Sequence, residues 1–264
     1  MALLALGIVG IWSFIGKPFY IPSESMVPTL LVGDRLIVTK YPYGYSYLSP
    51  FIRVLPEIEG RLFGSLPERG DIVVLKDPVV HADWIKRVIG LPGDTVQMRG
   101  GTLYLNGKAI QKRRIAPTEI VESPNMPCST GGLEQFRRVE ADGVAVCAYP
   151  RFIETLPNGR QYEVLDLGTI RNDDTREVEV PEGHVFLMGD NRDRSSDSRV
   201  QAFRGGLGLL PIENISGRAE FITFSIDGTH QYLNPVSWFE SLRTERAWET
   251  LRRLPDSVAE EDTE

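Results

Sequence analysis

The sequence predicts a mostly β protein: antiparallel β-sheets carrying an inserted β-rich subdomain, preceded by an N-terminal membrane-anchor helix. Three observations predict it. Runs rich in branched and aromatic residues, among them "RLIVTKY", "GDIVVLKDP", "DTVQM", "TLYLNGK", "EVEVPEGHVFLMG" and "SGRAEFITFS", have strand length and are separated by turn residues. The 25 glycines and 18 prolines favour turns over long helices. A single long apolar run, Ala2 to Gly16, carries no charge. With 264 residues, 42% of them hydrophobic, the chain has material for a full core.

Residues 1–18 are assigned to the anchor. The run falls short of the roughly 20 apolar residues of a membrane span, so three readings compete. A secretory signal peptide wants a basic start and a small-residue cleavage site, and nothing basic precedes the run. A buried core helix suits its length. The membrane anchor is favoured, because Phe19, Tyr20 and Ile21 extend the run into an interface where Trp12 and Lys17 are also at home.

Residues 19–100 and 181–234 form the β-rich core, and 101–180 the insertion. "YLNGK" places Asn106 and Gly107 where a two-residue hairpin needs positive φ. "LPGDT" sets Pro92 before Gly93, as a type II turn requires. The insertion holds Cys128 and Cys147, read either as a disulfide or as two unrelated buried thiols. Residues 235–254 read as an amphipathic helix, Trp238, Phe239, Leu242 and Leu251 standing among arginines; it lies on a membrane surface or packs on the domain. Residues 255–264 are an acidic, disordered tail. The formal charge of -7 is concentrated there: without the tail, 29 basic residues face 31 acidic ones. That balance gives no reason to expect nucleic acid as a partner.

Most familiar catalytic patterns are missing: there is no His-Glu-x-x-His, Gly-x-Ser-x-Gly, Ser-x-x-Lys or phosphate loop. His81, His184 and His230 are scattered among strands and turns. In "IPSESM" the prolines disfavour a helix, so the segment is predicted to be extended with Ser23 and Ser25 on one side. One hydroxyl there can attack a carbonyl while the other donates to the developing oxyanion. In "WIKRVIGLPGD", Lys86 and Arg87 stand inside an apolar strand, Lys86 on the face of Trp84 and Val88 and Arg87 on that of Ile85 and Ile89. Burial lowers a lysine pKa and leaves a neutral amine available as a base, which arginine cannot provide. Lys86 is therefore the candidate partner of a serine nucleophile. The stretch "GDNRDRSSDSR" looks at first like a calcium loop but lacks its turn glycine and closing glutamate. No metal site or cofactor is expected.

Together, "IPSESMVPTLLVGD", "RGDIVVLKDP", "WIKRVIGLPGD" and "GDNRDRSSDSR", followed by "SGRAEFITFS", resemble the ordered boxes of the bacterial type I signal peptidases. These are membrane-anchored Ser/Lys endopeptidases that remove leader peptides from exported proteins. The resemblance implies that Ser25 is the nucleophile, Lys86 the general base and Ser23 the side-chain oxyanion donor beside the Ser25 backbone N–H. Ser195 matches the hydroxyl that hydrogen-bonds the lysine, Asp197 with Arg199 the supporting ion pair, and Gly189 the start of a loop packed against the site. Phe19, Ile21, Met26, Leu30, Trp84 and Ile85 match positions lining the pockets for small residues at the first and third positions before the cut. The implied partners are signal-peptide-bearing preproteins and the lipid membrane. The implied location is the bacterial inner membrane, crossed once, with the catalytic domain on the periplasmic side. A Cys128–Cys147 disulfide would fit the larger version of the family in bacteria with two membranes. Two departures stand out: Glu24 replaces the usual glycine between the serines, and the N-terminus is short and uncharged. A soluble-type Ser/Lys autoprotease and a non-catalytic membrane-tethered β scaffold are the alternatives.

Overall fold

The computed structural model describes residues 12, 14–47, 49, 60–77, 82–231 and 233–252. Among them are fifteen strands: β1 (Gly16–Tyr20), β2 (Asp34–Thr39), β3 (Ile72–Lys76), β4 (Asp83–Gly90), β5 (Thr95–Arg99), β6 (Thr102–Leu105), β7 (Lys108–Ala109), β8 (Gln111–Val121), β9 (Arg137–Val139), β10 (Ala145–Thr155), β11 (Gln161–Leu165), β12 (Val178–Glu179), β13 (His184–Met188), β14 (Leu210–Pro211) and β15 (Ile215–Ser225). The principal sheet runs β1-β2-β15-β3-β4-β13-β14, a second β11-β10-β8 with β9 against β10, and a third β12-β5-β6-β7.

The central strands are apolar on both faces because both faces are covered. In β3, Ile72 and Val74 enter one core with Ile21, Met26, Leu30 and Ile85. The alternate residues Val73 and Leu75 enter another with Val88, Val185 and Leu210, as the period of two dictates. The expected turns form: Asn106 and Gly107 take φ of 52° and 72° between β6 and β7, and Gly93 a φ of 84°.

The insertion differs from its expected outline. Residues 95–99, assigned to the core, are β5, whose partners are β6 and β12; the small sheet therefore opens just after Gly90. Nor does it stand apart, since Val96, Leu103, Val164 and Val180 share a core with Ile89, Phe186 and Met188 of the principal sheet.

The expected 235–254 helix is also corrected. Among the described residues of this segment the only α-helix is short, α1 (Pro235–Glu240), followed by a single 3-10 turn at Thr244–Arg246. β3 pairs with β15 only as far as Arg218, so the rest of that edge is open, and residues 243–251 fill it. Arg243 N–H donates to Ser225 O, Trp248 N–H to Ile222 O and Leu251 N–H to Glu220 O. Leu251 joins the core beneath, and the Arg246 guanidinium grips the Asp34 carboxylate at 2.6 and 3.0 Å. Main-chain pairing to a waiting strand edge prevails over the helical pattern.

Most of the expected anchor lies outside the described residues, but its last residues do not: Gly16, Lys17 and Pro18 belong to β1. No helix of the described residues is long and apolar enough to cross a membrane. The expected acidic tail also lies outside them. Cys128 and Cys147 form a disulfide, with Cα atoms 5.9 Å apart, in a core shared with Val27, Leu31 and Tyr149. The first of the two readings of the cysteines therefore holds.

Candidate active site

Ser25 lies just beyond the edge strand β1. The chain leaves β1 at Pro22 and turns through one 3-10 helical turn at Glu24–Met26 instead of staying extended. The turn closes because Val27 N–H donates to Glu24 O, a local bond that an extended chain would forgo. Ser23, in extended conformation at φ -139°, still brings its Oγ to 3.5 Å from Ser25 Oγ. Ser25 is buried, 7% exposed.

Lys86 reaches the same point from β4. Its Nζ is 2.8 Å from Ser25 Oγ and 2.9 Å from Ile85 O, to which it donates, and it lies 5.4 Å from the Trp84 ring centroid. The residue is 3% exposed. Burial pushes its pKa from 10.5 down to about 8, against the opposing pull of Asp197 and Asp190. Half of such amines are neutral at a pH where a free lysine is almost wholly charged.

The third contribution is the loop after β13. Asp197 and Arg199 form a buried bidentate pair, both bonds 2.9 Å. Burial works to raise the Asp197 carboxyl, but Arg199, the Gly189 N–H and Ser195 together hold the group below its ordinary range. Asp197 also accepts from Gly189 N–H at 3.1 Å. Gly189 has no room for a side chain: a Cβ there would stand 2.3 Å from Ser195 Oγ and 2.4 Å from Ser25 O. Asn191 N–H donates to Ser25 O at 3.1 Å, so this loop fixes the main chain of the serine.

The expected Ser195–Lys86 hydrogen bond does not form. Ser195 Oγ is buried and makes no hydrogen bond to Lys86; its hydroxyl serves Asp197 instead, helping to hold that carboxyl down. The Lys86 amine is instead occupied by Ser25 and by its neighbour's carbonyl.

Beside Ser25 and Lys86 runs a groove of about 490 Å³ lined by Phe19, Ile21, Trp84 and Ile85, as expected, and also by Val74, Asp83, Arg194 and Ser196. Met26 and Leu30 do not line it. They are fully buried, packed with Ile21 and Ile85 as the floor beneath. Val74 is directly opposite Ile85 across β3 and β4, a pairing absent from any local pattern. Arg194 reaches the groove from the loop and pairs with Glu24 at 3.1 Å. Glu24 is not among the positive-φ residues, so a glutamate between the serines is unstrained there and links the two segments. Among the described residues no group of acidic, histidine or cysteine side chains could hold a metal ion.

The family model for signal peptidase, peptidase S26, matches residues 1–224. The chain belongs to the signal peptidase family. Signal peptidase I of Rickettsia typhi is 40% identical over 258 residues, covering 91% of this chain and 87% of that protein. Its counterpart from Rickettsia massiliae is 39% identical over 253 residues, covering 89% and 85%. A crystal structure of a signal peptidase I from Enterococcus faecalis is 27% identical with a TM-score of 0.30, covering 58% of this chain and 97% of the other. As a member of this family the protein is a serine endopeptidase, a hydrolase of peptide bonds.

Proposed function

We propose that the protein removes N-terminal signal peptides from exported preproteins, cutting after small residues, with Ser25 as nucleophile and Lys86 as general base. The observation that carries this reading is the 2.8 Å approach of a buried lysine amine to a buried serine hydroxyl beside an open groove. With the lysine neutral, the hydroxyl donates its proton to the amine lone pair as Oγ attacks the scissile carbonyl. The resulting ammonium faces Asp197 and Asp190, which stabilise it, and returns the proton to the leaving amine. The oxyanion is received by the Ser23 hydroxyl and the Ser25 backbone N–H.

The groove suits an extended peptide added as a strand. Its large apolar walls, Phe19, Ile21, Trp84 and Ile85, leave room for alanine-sized side chains. The protein acts at the outer face of the bacterial inner membrane, held by a single N-terminal span. Two features support that placement. Tyr20 and Phe224 are exposed with the Arg35 guanidinium between their rings, the amphipathic mixture favoured at lipid headgroups. The Cys128–Cys147 disulfide suits an oxidising compartment.

A purified preprotein ending its leader in Ala-x-Ala is expected to be cut once, and Ser25→Ala is expected to abolish the cut while leaving the thermal melt unchanged. Self-cleavage without action on the preprotein would favour an autoprotease, and no cleavage of either a non-catalytic scaffold. Ser23→Ala is expected to lower kcat by about 10²-fold with KM nearly unchanged, as for loss of one oxyanion donor. A wild-type kcat would assign that task to the backbone alone.

A further inference from the structure

The inserted subdomain touches the catalytic loop through a feature that the proposed chemistry leaves unused. Glu154 of β10 is fully buried, and Arg192, in the loop, is 3% exposed. They form a bidentate pair, Nη1 to Oε1 at 3.0 Å and Nη2 to Oε2 at 2.6 Å. Tyr162 of β11 adds a third bond, its hydroxyl donating to Glu154 Oε2 at 2.6 Å. A buried pair of this kind is poor value as a stabiliser, since desolvating both charges offsets most of their attraction, and apolar replacements of both are often neutral or better. What it supplies is direction.

Beside the pair, the same loop is stitched to the insertion by its backbone: Leu165 N–H donates to Asp190 O at 2.9 Å, and Gly168 N–H to the Asp193 carboxylate at 3.0 Å. Its other edge holds Ser25 O through Asn191 N–H, and Arg192 O accepts from Arg199, the partner of Asp197. Arg192 thus stands where the insertion, the Asp197–Arg199 pair and the nucleophile's backbone meet.

We propose that Glu154 and Arg192 are positioning residues, through which the inserted subdomain sets the placement of Ser25 against Lys86. The proposal rests on the reading of Ser25 and Lys86 given above. It is tested with the double variant Glu154→Leu/Arg192→Met, which removes both charges together so that neither is left buried alone. The melt is expected to stay at or above that of the wild type. With the preprotein as substrate, kcat is expected to fall about 10²-fold, the loss for misplacement of about 1 Å, while KM stays within about twofold. Tyr162→Phe, which removes only the hydroxyl steadying Glu154, is expected to lose about threefold to tenfold in kcat while its melt falls by no more than about 10 °C.

A second readout does not depend on proteolysis. In a Ser25→Cys background the other cysteines are joined in their disulfide, so iodoacetamide reports the introduced thiol. Its alkylation at neutral pH is expected to slow about tenfold when the double variant is added, because the thiolate loses its place beside the Lys86 ammonium. A wild-type kcat and an unchanged alkylation rate in a folded double variant overturn the proposal. So does a full kcat in Tyr162→Phe, whether or not the double variant folds. A wild-type protein that leaves the preprotein intact, with alkylation still slowed by the double variant, overturns the proteolytic reading alone.

Discussion

Lys86→Met is expected to abolish cleavage and, at neutral pH, to make the fold more stable. The first effect follows from removing the only basic group in hydrogen-bond contact with Ser25 Oγ among the described residues. The second follows from burial. The amine titrates near 8 in the folded protein and near its ordinary 10.5 when unfolded, so below about pH 8 the folded state must hold a charge that the unfolded chain holds more easily. That penalty is up to roughly 3 kcal/mol at pH 7. Between pH 8 and 10.5 the folded lysine is already neutral while the unfolded one still binds a proton, so wild-type stability rises with pH and the methionine advantage shrinks. Melts of the two proteins at pH 7 and pH 10 check this. The gain should be clear at pH 7 and small at pH 10; equal gains would mean that the lysine titrates normally. The same titration should appear in the rate, since the proposed mechanism uses the neutral amine: kcat/KM is expected to climb with pH and level off above about 8.

Asp190→Ala is expected to cost about 3–5 kcal/mol of stability, enough to lower the melting temperature by roughly 10 °C. Its partner Arg87 is buried beside Lys86 in the strand, bound to Asp190 at 2.8 and 2.6 Å and resting 4.5 Å from the Tyr162 ring centroid. Without Asp190 the guanidinium has only the Gly70 carbonyl at 2.8 Å and a long contact to Thr29. Arginine does not escape by deprotonating. Asp190→Asn, which keeps an acceptor but removes the charge, should fall between, and an alanine variant as stable as the wild type would show that the charge is not confined. Either change also removes a carboxylate that favours the Lys86 ammonium, so the pH at which the rate levels off should move down.

Strands and turns were legible because they are local. Asn106–Gly107 and the alternation in "GDIVVLKDP" carry their conformation in neighbouring residues. Lys86 was legible for a different reason: a charge inside an apolar strand is costly unless something nearby uses it. Sequence periodicity could not reveal that β3 sets Val74 across from Ile85, or that 243–251 would complete the open edge of β15, because those depend on strands far apart in the chain. The 235–254 segment had a good helical pattern and followed its tertiary partner instead. Met26 and Leu30 were expected to line the pockets and lie beneath the groove instead, since depth is not encoded in apolarity. Arg194 was hidden in a run of charges, with nothing local to mark it as the partner of Glu24.

The bond from Asn191 to Ser25 has a consequence for how this site tolerates change. Donor and acceptor are both main chain, so nineteen of the twenty residue types at position 191 can still supply that N–H, and only proline deletes it. Alanine scanning would pass over the contact in silence. A proline scan along the loop would find it.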